Sequence, residues 1–150
     1  MVQNSTDDGL SKTMLARAAG MRTRMVFAAV YAVVLAPVAG WTPAACWIAA
    51  YGLLHTAEYL LFATEKARTR AFRPRLALAI LSLNSLIYGA LALMAIVGGG
   101  SAGLICGGLF LAGAVLNTVV TNQRSQAAYV AAMTPFGVYL LLTAGMAWAI

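Results

Sequence analysis

Charge is scarce in this chain. Of 150 residues only 9% are charged and only four are acids, while 62% are hydrophobic. An ordinary soluble domain carries about 25% charged and about 45–50% apolar residues. That gap argues against a soluble globular enzyme, and the mean hydropathy of +0.83 argues against disorder. Cysteine is nearly absent: Cys46 and Cys106 stand in apolar surroundings and make neither a disulfide framework nor a metal cluster. They read as small buried hydrophobes, with a Cys46–Cys106 bridge as the alternative. Histidine occurs once, at His55, so two-histidine haem ligation is excluded. No glycine loop leads to a lysine, so a phosphate-cradling nucleotide loop is missing too. What remains is one domain of a polytopic, all-α membrane protein.

The apolar runs set the organisation. A spanning helix needs about 20 apolar residues. Five runs approach that length: 25–39, interrupted by Pro37; 44–64; 76–97; 104–120; and 127–150, with Pro135 inside. Trp41-Thr42-Pro43 and Gly98-Gly99-Gly100-Ser101 read as tight turns, 65–75 as a basic loop and 121–126 as a polar connector. Residues 1–24 form a separate segment. Met1–Gly9 is polar, and its Asn4-Ser5-Thr6 triplet carries no weight. From Leu10 to Arg24 the residues Leu10, Met14, Ala18 and Met21 recur at helical spacing, with Lys12, Arg17, Arg22 and Arg24 on other faces. This predicts a short amphipathic helix in the membrane interface. Residues 25–150 then form the transmembrane bundle. Arg22, Arg24 and the run ending near Ala39 also have the outline of a secretory signal, and Pro43-Ala44-Ala45-Cys46 of a lipoprotein site, but a second span follows at once.

The basic residues orient the bundle. Lys12, Arg17, Arg22 and Arg24 precede the first span; Lys66, Arg68, Arg70, Arg73 and Arg75 lie between the second and third; Arg124 lies between the fourth and fifth. The other two turns have none. Lys and Arg collect on cytoplasmic loops, which puts the amino terminus inside. The net charge of +6 is thereby accounted for by topology, without nucleic acid. Five spans leave Ile150 outside after an apolar run, so a longer parent with a sixth span is expected. Gly99, Gly103 and Gly107 repeat every fourth residue and make a smooth face for packing within the bundle, or for a homodimer.

Ionisable groups in hydrocarbon cost about 2.5–3.5 kcal/mol at a helix centre on insertion scales, so they mark candidate sites. His55 and Glu58, three apart, share a helix face. Asn84 and Asn117 fall at similar depth in other spans, with Tyr88 and Thr118 close by. Depth alone predicts a polar layer of His55, Glu58, Asn84 and Asn117, able to sense a ligand or a proton. The plainer reading is structural glue, with Glu58 turned to the interface or paired with Lys66 or Arg68, ahead of a sensing pocket; a transport path is the remaining alternative. No catalytic constellation is present, and His55 with Glu58 supplies only two metal ligands, so no metal or other cofactor is expected.

Several short stretches carry a resemblance. Arg22-Thr23-Arg24, Leu83-Asn84-Ser85-Leu86 with Tyr88-Gly89-Ala90, Cys106-Gly107-Gly108, Leu116-Asn117-Thr118 and 121–125 resemble the amino-terminal membrane region of alphaproteobacterial hybrid sensor histidine kinases, from about Leu15 onward. The resemblance implies about six spans ahead of a cytoplasmic kinase. It also implies a signal-input role in the bacterial inner membrane, with the kinase and its response regulator as partners. The phosphoacceptor and nucleotide-binding motifs of that family are not in these residues, so kinase activity would belong to the longer parent. A stand-alone small inner-membrane protein, permease-like or an assembly factor, is the alternative.

Overall fold

Glycine and proline set the helix ends. The computed structural model describes residues 3–63 and 73–148. Among these lie six α-helices and no strand: α1 (Gln3–Ala19), α2 (Met21–Ala39), α3 (Trp41–Phe62), α4 (Pro74–Gly98), α5 (Gly100–Thr121) and α6 (Gln126–Trp148). Between α2 and α3 stands only Gly40, at φ +94°, a conformation that costs a side-chain-bearing residue dearly. Gly99 alone separates α4 from α5, and Gly100 opens α5 at φ +55°. The predicted four-residue turn therefore shrinks to one residue, because Gly98 and Gly100 are drawn into the helices. Pro74 begins α4, where its missing N–H is no loss. Ser125 caps α6, its Oγ accepting a 3.2 Å bond from the Ala128 N–H. Pro37 and Pro135 interrupt neither helix.

Four helices, α2, α4, α5 and α6, are long and apolar enough to cross a membrane. The second predicted span, α3, is also a 22-residue helix but does not join those four. His55, Glu58 and its tryptophans and tyrosines lower its hydropathy. The outward faces are apolar: Val26, Val30 and Val33 on α2, Leu109 and Leu116 on α5, and Val138 and Leu141 on α6 are all exposed. Contiguous apolar surface of this kind belongs to proteins that meet lipid or a partner. Length, hydropathy and surface together describe a membrane-type protein.

α4 is the central helix and packs on all five others. Close approach of α5 to it depends on glycine. A Cβ at Gly103 would run into the Ala95 carbonyl, and one at Gly107 would come within 2.7 Å of the Ala92 carbonyl. The repeating glycines thus serve packing inside the bundle. Gly89 of α4 makes room for the Tyr139 ring of α6, whose hydroxyl donates to the Leu86 carbonyl at 2.7 Å. Around this lies the larger core, with Trp47, Tyr51, Ile96, Phe110 and Phe136.

A second core closes the opposite end. Leu10 and Met14 of α1 pack with Phe62, Ala77, Ile80, Leu81 and Ala128. α1 begins at Gln3, seven residues ahead of the amphipathic pattern, and its apolar stripe is buried against the bundle. Lys66, Arg68 and Arg70 of the basic loop lie outside the described residues, while Arg73 and Arg75 are exposed.

Candidate functional site

The buried stripe of α3 runs Ala44, Trp47, Tyr51, His55, Glu58, Phe62, a three-and-four spacing that keeps one face inward. Two of its positions are ionisable, so folding carries His55 and Glu58 into the interior, each 2% exposed. The buried stripe of α1 does the same with a charge. Leu10, Thr13, Met14, Arg17 and Ala18 share a face, and Arg17 is 6% exposed. The two stripes meet. Arg17 Nε donates to Glu58 Oε1 at 2.7 Å, and its terminal nitrogen donates to Oε2 at 3.3 Å, a two-pronged contact. His55 Nδ1 lies 3.3 Å from Oε2, outside hydrogen-bond geometry. The His55 ring is 4.3 Å from that of Tyr51, centroid to centroid. Its Nε2 is buried with no hydrogen-bond partner among the described residues.

An aromatic cluster holds this group on its far side. Tyr51 stacks on Trp47 at 5.2 Å and lies 5.6 Å from Tyr88, which in turn stacks on Phe110 at 4.7 Å. On the near side is a chamber of about 20 Å³ lined by Arg17, Arg24, Tyr51, Asn84, Asn117 and Thr118, among others. That is the size of one water. Asn84 presents a buried Oδ1 with no hydrogen-bond partner among the described residues. Asn117 is exposed and stands at the chamber's edge.

The four residues singled out from sequence are thus divided. His55 and Glu58 touch. Asn84 and Asn117 share the neighbouring chamber without a bond to that pair, and Arg17 and Tyr51 connect the two groups. The described partner of Glu58 is Arg17, 41 residues earlier. The alternative partners Lys66 and Arg68 lie outside the described residues. Arg17 is the residue that sequence reasoning missed. The signal was present: Arg17 stands seven residues after Leu10 and three after Met14, on the stripe itself rather than opposite it.

Chemically, the Arg17–Glu58 pair is neutral as a unit. Loss of charge on either partner would leave the other buried without a counter-charge. Among the described residues no group of three or more His, Cys, Asp or Glu is gathered for a metal. Cys46 is exposed and Cys106 half-buried, both as free thiols. Comparison with protein-family models, with curated proteins and with solved structures finds no match.

Proposed function

We propose that this chain is the membrane-embedded signal-input module of a two-component histidine kinase, the kinase core lying outside these residues. In this reading it sits in a bacterial inner membrane with five spans, α2 to α6, and α1 on the cytoplasmic side. The observation that carries the reading is the buried Arg17–Glu58–His55 group. It ties α1, which ends beside the chamber, to α3, which is a span in this reading. An input module needs an element with two arrangements whose balance a stimulus can tilt. A buried charge pair between two helices is such an element: displacement of Arg17 from Glu58 removes the tie.

The test uses membranes that hold the full-length product of the gene, incubated with labelled ATP. Glu58→Gln is expected to change acid-labile phosphohistidine by about fivefold or more, the lower part of ordinary coupling between sites. Membrane abundance should stay the same. A product with no kinase core, or phosphorylation unchanged by the substitution, overturns the reading and favours a stand-alone inner-membrane protein. Topology is tested separately. Exposed Cys46, near the Gly40 turn, should react with an impermeant maleimide added outside intact cells. Protection until lysis overturns the orientation.

A further inference from the structure

Beside the small chamber, and sharing Arg17, Arg24 and Thr121 with it, lies an open vestibule of about 300 Å³. Thr13, Gln123 and Arg124 complete its polar lining, to which no acid contributes among the described residues. Three arginines from three parts of the chain therefore converge: one from α1, one from the start of α2, and one from the α5–α6 connector. Their charges are not balanced. Glu58 is the one carboxylate among the described residues that binds Arg17, and it is also the one that acts on Arg24, which Arg17 repels. Among the described side chains, one negative charge stands against three positive ones.

We propose that this vestibule binds a phosphate-bearing anion, either the headgroup of an anionic lipid or a soluble phosphate compound. Arginine forks match phosphate oxygens in pairs, and threonine hydroxyls and a glutamine amide add neutral donors. The chamber holds about one water, so the anion occupies the vestibule and leaves the chamber to solvent. Basic pockets between helices at a membrane surface take lipid headgroups. Arg124 also borders an apolar groove of about 670 Å³ with Leu78, Ala127, Val130 and Ala131. An acyl chain fits there if the phosphate belongs to a lipid. The proposal does not depend on the kinase reading, since the vestibule is built by α1, α2 and the α5–α6 connector whatever lies downstream.

The full chain in phosphatidylcholine nanodiscs tests it, in two arms. One adds phosphatidylglycerol and counts retained lipid by native mass spectrometry. The other titrates inorganic phosphate by calorimetry. Saturable binding in either arm is expected, and the arm that responds identifies the source. Arg24→Gln with Arg124→Gln should weaken it about tenfold or more, since two charge-assisted contacts are lost. Lysine at both positions should restore part of the affinity. Arg124→Gln alone, in an exposed connector, guards against a folding defect and should weaken binding by a smaller factor. Arg22→Gln, exposed and outside the lining, should leave binding unchanged. No saturable binding in either arm overturns the site. So does undiminished binding by the well-folded Arg124→Gln chain and the double variant, or an equal loss in Arg22→Gln, which would mark mere surface charge.

Discussion

The two ends of the bundle solve the packing problem in opposite ways. At the glycine end, α4 and α5 approach until backbone meets backbone, and aromatic rings fill the remaining space. Described ionisable groups there are tyrosines and cysteines, and the turns are single glycines. At the α1 end the bundle takes in another helix, an ion pair, a one-water chamber and an arginine-lined vestibule. The first end is held by shape. The second adds a charge pair to a smaller apolar core, and depends on the two partners staying matched. Close-packed interfaces have few alternative arrangements, whereas a buried ion pair depends on both charges staying matched. In the proposed reading, movement on stimulus belongs to the α1 end.

The comparison predicts graded damage. The largest effect is expected from Glu58→Ala, which leaves Arg17 buried without a counter-charge. Breaking a buried pair from one side costs about 3–5 kcal/mol. Replacing both partners, with Arg17→Met and Glu58→Leu, should return most of that loss. Unfolding in detergent, followed by circular dichroism, reads both variants. Equal losses in the single and double variants would mean that the α1 end is held by something other than the pair. Next comes Gly103→Leu, at the opposite end. Overpacking costs about 1–3 kcal/mol, and here the obstacle is the Ala95 backbone, which cannot rotate away. A Leu variant as stable as the parent would refute the close α4–α5 contact. The smallest effect is expected from Tyr139→Phe, which removes one hydrogen bond to the Leu86 carbonyl and keeps the ring against Gly89. Such bonds between membrane helices are worth about 0.6 kcal/mol on average. A loss of several kcal/mol would mean that a polar contact governs the shape-held end as well.

Helix positions were legible because apolar runs and Gly or Pro punctuation are local signals. Gly40 and Gly99 fall at or beside the expected turns, and Ser125 lies in the polar connector read from sequence. Depth needs only counting from a helix end, and Asn84 lines the chamber that Arg17, the partner of Glu58, also lines. Rotation about each helix was not legible. Asn117 stands exposed at the chamber's edge because the inward face of α5 is set by Gly103, Gly107, Ala114 and Thr118. Nor was the fate of α1 legible, since an amphipathic stripe looks the same whether lipid or protein covers it. The pairing of Arg17 with Glu58 is a contact between distant segments, and no local pattern encodes it. The same His55 and Glu58 that pointed to a site also count against α3 among the helices apolar enough to cross a membrane.

The tie between α1 and α3 has a consequence for assembly. Of the six described helices α1 is made before the rest, yet its docking waits for Glu58, and its apolar contacts also wait for Leu81 and Ala128. The helix made earliest of the six is therefore among the last to be seated, and until it docks the described partner of Glu58 is missing.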